Sequence, residues 1–360
     1  MTKTVRRRPV GTLTSVPRSR RRRCSVSTVS AVLVVTATSF ASPGSAAAAV
    51  TWPDAASANA SIGRGVEIVT NLHYYGATGE LDVSTSADLA REAGFQSVRL
   101  PVAFGDAALD EPPYTLPLVF LAEVDAQLDV LLTRGFNVIL DKNQPVESRE
   151  KFLAVWAQIA ERFAGRPPEV YFELQNEPTW QAGLGSALSP EEWNQLVAEV
   201  IPQIRASNPR RIIVVSSPFF SFPQNVPQVA LPAGDRHLIV TFHQYQPLQF
   251  THQDSWIPGS DGWLGTTWNG TPAEVAALKD TMRDAVCWSK RNGVPLFVGE
   301  FGAGHRADLA SRVRWISTVT RLFEAEAISC QPRKASVTKT RRGLPRTGST
   351  SCGSARLPMR

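Results

Sequence analysis

The chain has few cysteines, and they do not form any of the patterns that hold metals. Four cysteines occur in 360 residues, and no CxxC pair or cysteine–histidine cluster has metal-ligand spacing. Cys287 falls in a helical pattern, where we predict an ordinary buried thiol. A disulfide between Cys330 and Cys352 is compatible with the sequence but has no specific support in it. The cysteines therefore give no indication of a metal site.

A membrane-spanning apolar run is also missing. The apolar segment at residues 29–40 is shorter than the roughly 20 residues that a transmembrane helix needs. It follows four arginines at 20–23 and precedes an alanine-rich run near 46–49, the order of regions in a secretory signal peptide. We predict a signal peptide over residues 1–48, a secreted extracellular protein and no stable membrane association. The alternative is a disordered basic tail.

Acidic residues are absent from both ends of the chain. Residues 1–48 carry nine lysines and arginines, residues 331–360 carry eight, and neither segment has an acidic residue. The intervening body has 21 basic against 32 acidic residues, a net charge of −11. An acidic body argues against a nucleic-acid partner. The segment 331–360 also has few large apolar residues, so we predict a basic, disordered tail.

Strand and helix patterns alternate through residues 49–330, and the strands are almost continuously apolar. This is typical of a parallel sheet covered on both faces by helices. A doubly wound sheet would need a glycine-rich phosphate turn after its first strand, and the sequence has none. We therefore predict an α/β fold, a (β/α)8 TIM barrel. Seven strands are clear, but only residues 328–330 remain for the eighth, so the last strand–helix unit is expected to be incomplete.

The segment VYFELQNEPTW, residues 170–180, gives the strongest functional signal. Its alternating apolar residues predict a strand, which has to stop at Pro178 because proline cannot donate to a ladder. Asn176 and Glu177 would then lie at the carboxyl end of a barrel strand, where barrel enzymes place catalytic side chains. By itself, Asn-Glu-Pro is equally compatible with a turn and a surface glutamate.

A second carboxylate, Glu300, ends the seventh predicted strand in the sequence FVGEFG. Strands four and seven lie across a barrel mouth from each other, so Glu177 and Glu300 can face one cleft. Two such carboxylates can hydrolyse a glycosidic bond, one as the acid and the other as the nucleophile. Arg99, at the end of the second strand, is the candidate cation that keeps the nucleophile ionised. The alternative role for Arg99 is a structural ion pair.

Four motifs, taken in order, resemble glycoside hydrolase family 5, and most closely its bacterial endoglucanases (cellulases). The motifs are RLPV, ELQNEP, HQYQP with FTHQ and a following Trp, and VGEFG, and the match spans residues 62–327. The resemblance implies a secreted, retaining endo-β-glycosidase that hydrolyses β-1,4-glucan without a cofactor. A β-mannanase of the same family and a catalytically impaired carbohydrate-binding protein are the alternatives. The expected partner is a polysaccharide or oligosaccharide substrate, bound by a monomer.

The resemblance also implies a role for each residue of the central site. Glu177 would be the general acid/base and Glu300 the nucleophile. Asn176 would hydrogen-bond the sugar 2-hydroxyl, and Arg99 would hold Glu300 and keep it ionised.

Further residues are implicated around this centre. His243 and Tyr245 would line the −1 subsite, with Tyr245 hydrogen-bonded to the nucleophile; the alternative is a structural pair at the barrel end. His73 resembles a substrate contact, although a loop histidine without such a role is an alternative. Tryptophans in the mouth loops would either stack on sugar rings or pack under the loops. One or two of them are expected to stack, with Trp256 and Trp268 as the first candidates among Trp180, Trp256, Trp263 and Trp268.

Two segments depart from the family pattern. After the third strand, relatives usually show one or two histidines, whereas residues 141–145 read DKNQP. Either Asn143 or Gln144 takes that place, or the loop is truncated. Relatives also carry a tryptophan at the end of the eighth strand as the floor of the −1 subsite, whereas residues 329–331 read SCQ. Losing this floor would weaken binding of the transition state.

Overall fold

The computed structural model describes residues 51–73, 82–180 and 188–332. The predicted signal peptide and the part of the predicted tail beyond Pro332 lie outside these ranges. The Cys330–Cys352 pair also lies outside them, since the Cys330 side chain and the whole of Cys352 are not described.

Eight parallel strands follow each other in chain order around a nearly closed barrel, which confirms the predicted fold class. Adjacent strands pair in parallel from the first to the last. The strands are β1 (Gly65–Glu67), β2 (Ser97–Val102), β3 (Asn137–Lys142), β4 (Val170–Glu173), β5 (Ile213–Ser216), β6 (Leu238–Gln244), β7 (Leu296–Phe301) and β8 (Ser329–Pro332).

Helices alternate with these strands on the outside of the barrel, apart from the first helix, which precedes β1. Shorter helical turns lie in the loops that follow β2, β5 and β6, at 104–107, 218–221, 223–228, 248–251 and 260–263. The longer helices are α1 (Ala55–Ile62), α2 (Val83–Glu92), α3 (Leu118–Thr133), α4 (Arg149–Arg162), α5 (Pro190–Ser207), α6 (Pro272–Asp280), α7 (Arg283–Asn292) and α8 (Leu309–Ala325).

The eighth strand exists but is short. It pairs with β7 across a register irregularity between Val298 and Phe301, and it ends two residues beyond the predicted domain boundary at residue 330. β1 and β8 contact each other where the barrel closes. An ion pair between Arg64, just before β1, and Glu324 of α8 also links the first and last strand–helix units. A helix following β8 would fall beyond Pro332, outside the described residues.

The bottom of the barrel is closed by α1. Ala55, Ala58 and Ile62 of this helix pack against inward-facing residues of five strands and of the segment leading into β5. This inner cluster is separate from the larger core, which lies between the strands and the surrounding helices. The strand members of the inner cluster are Ile139, Tyr171, Val214, Ile239 and Phe297, and Ile212 lies just before β5. The bottom of the barrel is thus filled by apolar side chains, and barrel enzymes place their sites at the opposite, carboxyl-terminal mouth.

Cys287 is exposed, so the prediction of a buried thiol was wrong. Only Ala285 and Trp288 of α7 are buried, and Cys287 lies on the other side of that helix. It borders an outer-surface cavity of about 390 Å³ between α6, α7 and α8, remote from the mouth. Within the described ranges, no helix combines the length and apolarity needed to cross a bilayer.

Arg211 is a fully buried cation beneath the barrel, just before β5. Its guanidinium lies 4.7 Å from the Trp52 ring centroid and 5.1 Å from that of Phe172. Burial lowers the pKa of Arg211 to about 10, against an opposing influence of the Glu169 carboxylate, and hydrogen bonds to carbonyl oxygens hold the guanidinium. The acceptors include the carbonyl oxygens of Phe163, Ala164, Arg166, Pro167 and Val170.

Arg211→Met should lower the free energy of unfolding by about 3 kcal/mol or more, because each buried acceptor left without its donor costs about 1 to 3 kcal/mol. Urea denaturation followed by tryptophan fluorescence would measure the change. Arg210→Met is the matched control, since Arg210 is exposed yet also lies over Trp52, at 5.7 Å. Equal denaturation midpoints for the two variants would show that the buried guanidinium does not anchor this region.

Candidate active site

Two glutamates meet at the mouth of the barrel. Glu177 follows β4 and Glu300 lies near the end of β7. The Nδ1 atom of His243 on β6 is 2.9 Å from Glu177 Oε1 and 3.8 Å from Glu300 Oε2. The ligand atoms of these three side chains all lie within 4.8 Å of one another. The two carboxylates therefore face one small volume, as their strand positions predict.

The surroundings of the two carboxylates differ strongly. The Glu300 side chain is 1% exposed, and its two oxygens accept hydrogen bonds from Arg99 Nη1 at 2.8 Å and from the Tyr245 hydroxyl at 2.7 Å. The Glu177 side chain is 30% exposed and bonds His243. Glu300 is thus held beside a cation, which favours its ionised form. Glu177 can exchange protons with water.

Arg99 is the centre of the hydrogen-bond network that holds Glu300. It is completely buried, and its Nε and Nη2 atoms bond the two oxygens of Glu173 at 2.8 Å. This bidentate arrangement fixes the plane of the guanidinium. The other acceptors are Glu67 Oε2 (2.7 Å), Glu300 Oε1 (2.8 Å) and Asn176 Oδ1 (2.9 Å). Asp141 Oδ2 forms an ion pair with Nη2 at 3.0 Å.

Four buried carboxyl groups therefore surround one guanidinium: Glu67, Asp141, Glu173 and Glu300. If all were ionised, they would leave an excess of three negative charges in a region without solvent. Burial raises the pKa of Asp141 well above its ordinary value, and Arg99 only partly opposes this shift. We assign a proton to Asp141, because neutralising one carboxyl relieves repulsion among the rest.

Asn176 and Glu177 are oriented by their backbone as well as by their side chains. Asn176 Oδ1 accepts from Arg99, so the amide group of Asn176 remains to donate to another molecule. Glu177 has a positive φ of 42°, a conformation that non-glycine residues rarely adopt. Strained backbone of this kind is common at functional sites, where the surrounding structure enforces it.

The prediction that Trp268 stacks on sugar rings was wrong. Trp268 is 2% exposed and packs in the hydrophobic core. Its backbone N–H bonds Ser311 Oγ, and its carbonyl accepts from Arg314 of α8. A ring held under α8 has no face open to a sugar. Trp256 is 67% exposed, so its role as a stacking surface remains a prediction.

The remaining predicted residues line the loops behind the carboxylates. His73 is only 3% exposed, and its substrate role remains a prediction. Gln144 does not replace a cleft histidine, because its side chain is buried and donates to the carbonyl of His73 at 2.7 Å. Asn143 is half-buried and donates to Asp141 Oδ2 at 3.1 Å.

Several buried polar residues of the mouth were not predicted from the sequence: Glu67, Asp141, Lys142, Glu173 and Gln175. Each interrupts an otherwise apolar strand, or the residues directly after one, in the segments GVEI, VILDK and VYFELQ. A charged residue inside a strand buried on both faces needs a partner. That rule would have identified them as members of a buried network.

Glu177, His243 and Glu300 are also the one set in the described residues whose donor atoms could hold a metal ion. The same carboxylates can act directly on a glycosidic bond without any metal.

The fold and the site together define a parallel barrel with two carboxylates that face one cleft at its mouth. The cellulase family, glycosyl hydrolase family 5, matches residues 56–331. The chain belongs to glycosyl hydrolase family 5. It is therefore a glycoside hydrolase, and its relatives are of the endoglucanase type.

Curated relatives include Endoglucanase H of Acetivibrio thermocellus, 29% identical over 278 residues that make up 75% of this chain and 29% of that protein. Cellodextrinase A of Ruminococcus flavefaciens is 26% identical over 268 residues, 69% of this chain and 76% of that protein. The chain thus spans under a third of the first relative and about three quarters of the second.

Among solved structures, Thermotoga maritima Cel5A in complex with mannotriose aligns with a TM-score of 0.72 and 31% identity, over 79% of this chain and 93% of that one. The same protein in complex with cellobiose aligns equally well.

Proposed function

We propose that the protein is a retaining endo-β-glycosidase that hydrolyses β-1,4-linked glucan. The observation that carries the proposal is that one carboxylate oxygen of Glu177 and one of Glu300 lie within 4.8 Å of each other at the barrel mouth. Retaining glycosidases hold their two carboxyl groups about 5–5.5 Å apart, whereas inverting enzymes need about 6.5–9.5 Å to admit a water molecule. The spacing supports direct attack by one carboxylate.

The environments of the two groups support one assignment of roles. Glu300, buried and bonded by Arg99 and Tyr245, attacks the anomeric carbon and forms a glycosyl ester. Glu177, in contact with solvent, gives its proton to the leaving oxygen. A water molecule then returns a proton to Glu177 and attacks the ester from the same face that the leaving group occupied, so the anomeric configuration is retained.

Asn176 and His243 prepare this chemistry. The amide of Asn176, oriented by Arg99, is placed to donate to the sugar 2-hydroxyl, a contact that strengthens in the transition state. His243 holds Glu177 Oε1 at 2.9 Å and so limits where the acid can point. Both act by holding groups in the geometry of the reaction rather than by bond making.

Mannan is the second candidate substrate. Its support is the related Cel5A structure, which has been determined with mannotriose and with cellobiose. Glucose and mannose differ at the 2-hydroxyl, the position that Asn176 addresses. Activity on mannan therefore depends on how this contact adapts to the axial hydroxyl group.

The test is release of reducing sugar from carboxymethylcellulose, mixed-linkage β-glucan, mannan and xylan. We expect the highest rate on a β-glucan. Glu177→Gln should lower turnover about 10²- to 10⁴-fold, the usual contribution of a general acid, while carbohydrate binding measured by calorimetry persists. A folded wild type that binds glucan but hydrolyses none of the four would instead indicate a carbohydrate-binding protein.

We further propose that the protein is exported, because its N-terminus has the regions of a signal peptide. N-terminal sequencing of protein recovered from the medium of an expressing bacterium should begin near residue 49. Protein that stays inside the cell with residues 1–48 attached would contradict export.

A further inference from the structure

Lys142, the last residue of β3, is completely buried. Its ammonium group lies 3.0 Å from the carbonyl oxygen of Gln144, 3.1 Å from Gln175 Oε1 and 3.6 Å from Glu147 Oε2. Burial lowers the pKa of Lys142. A buried ammonium destabilises a fold unless its partners compensate for the lost water. A methionine of similar length would avoid that penalty, so the lysine calls for an explanation.

Gln175 links Lys142 to the proposed acid/base. It is completely buried, and its Oε1 accepts from the lysine. Its Nε2 donates to the carbonyl of Gln144 at 2.6 Å and to the carbonyl of Asn176 at 2.9 Å. The second bond holds the peptide that joins Asn176 to Glu177. This peptide sets φ of Glu177, the residue with the rare value of 42°.

The segments that follow β3 and β4 are also joined by their backbones. The Asn176 N–H donates to the Lys142 carbonyl at 2.9 Å, and the Val146 N–H donates to the Thr179 carbonyl at 2.8 Å. Lys142 lies between these two bonds with its ammonium directed at Gln175. On the other side of the ammonium group lies the carboxylate of Glu147, which packs against Gly105. A side chain at position 105 would collide with it, since a Cβ atom there would lie 1.5 Å from Glu147 Oε1. The lysine is thus enclosed by Gln144, Pro145, Gln175 and Glu147, whose oxygens all face its ammonium group.

We infer that Lys142 is a positioning residue for Glu177, acting through the Gln175 side chain on the Asn176–Glu177 peptide. The inference rests on the proposed function of Glu177 as the general acid/base. The lysine anchors Oε1 of Gln175, and the carbonyl oxygens of Gln144 and Asn176 accept from its Nε2. Without the lysine, the buried Oε1 has lost this donor, and the Gln175 side chain can shift away from its position. A shift of this kind weakens the bond from Nε2 to the Asn176 carbonyl, which holds the peptide before Glu177.

The inference can be tested through kcat/KM, which reports the first step, because in that step a displaced acid matters only when the leaving group needs a proton. A 2,4-dinitrophenolate leaves without protonation, whereas a sugar hydroxyl does not. We would compare kcat/KM for 2,4-dinitrophenyl β-cellobioside and for cellotetraose in wild type, Lys142→Met and Gln175→Glu. Gln175→Glu keeps an acceptor for the lysine but cannot donate to the Asn176 carbonyl. It thus serves as a second variant if Lys142→Met does not fold.

The matched control is Lys151→Met on α4. Lys151 is also buried, but its ammonium bonds Asp110 at 3.1 Å, remote from the Asn176–Glu177 peptide. Thermal denaturation and circular dichroism would establish that every variant is folded at the assay temperature. If mannan is the substrate, the corresponding mannosides replace the cellosides.

We expect Lys142→Met and Gln175→Glu to lower kcat/KM on cellotetraose at least tenfold, with a change below threefold on the dinitrophenyl substrate. Lys151→Met should change neither by more than twofold. Equal losses on both substrates, or no loss on either, would overturn the positioning role while leaving the glycosidase intact. A folded wild type that hydrolyses neither substrate would overturn the proposed function, and the positioning role with it.

Discussion

Glu300→Gly should abolish turnover, with a loss on the order of 10⁵-fold, the scale seen when a covalent nucleophile is removed. Glu300 is the buried carboxylate held by Arg99 and Tyr245, and the glycine variant has no carboxylate at this position to form the glycosyl ester. Initial rates on the best polysaccharide would measure the loss. Glu161→Gln, an exposed carboxylate on α4, is the control and should retain the wild-type rate.

Added azide makes this experiment specific for the role of each glutamate. With Glu300→Gly, azide enters the space of the lost carboxylate and attacks an activated β-glycoside from the opposite face, which gives an α-glycosyl azide. With Glu177→Gly, azide attacks the glycosyl ester instead and gives the β-anomer. Proton NMR of the product distinguishes the two anomers. A β-azide from the Glu300 variant would show that the two roles are reversed.

Arg99→Met should be the most destabilising single substitution at the site, lowering the free energy of unfolding by about 3–5 kcal/mol. It removes the one cation that faces Glu67, Asp141, Glu173 and Glu300. Urea denaturation at pH 7 would measure the loss, and activity should disappear because Glu300 loses its partner. Arg99→Lys should be intermediate, since an ammonium keeps the charge but cannot bond Glu173 in two places.

The damage in Arg99→Met should also depend on pH through Asp141. The pKa of Asp141 is already raised by burial, and loss of Arg99 removes the largest influence that lowers it. In both proteins the folded state then binds more protons than the unfolded state, so stability falls with rising pH until Asp141 ionises in the folded state. The gap between wild type and variant should therefore widen only at a pH where Asp141 has ionised in wild type but not in the variant. Urea denaturation over a range of pH would locate this widening, and a gap that is constant at every pH would contradict an effect of Arg99 on the pKa of Asp141.

The positions of Glu177 and Glu300 were predictable because local signals mark them. Pro178 ends the strand that leads to Glu177, and glycines flank the strand end that carries Glu300. Such signals depend only on backbone chemistry and on where parallel strands end. The order of helices and strands was predictable for the same reason, because the spacing of apolar residues within each segment indicates a helix or a strand.

The burial of individual side chains was less predictable. Trp256 and Trp268 lie in similar polar loops, yet one is exposed and the other is held under α8, a helix about 40 residues further along the chain. The partners of Arg99 come from β1, β3, β4 and β7, and only the register between strands brings them together. Long-range packing decides such cases. Cys287, by contrast, could have been placed from the helical phase of α7.

The contact between the Trp52 ring and the Arg211 guanidinium limits how far the N-terminus of this chain can be shortened. Three residues separate the end of the predicted leader from Trp52, so a processing enzyme that cut a few residues too far would remove the aromatic ring that covers a buried cation. A fusion partner can be attached ahead of Thr51 at little cost. Removing Trp52 by truncation should expose the buried Arg211 guanidinium, and with it the bottom of the barrel, to water.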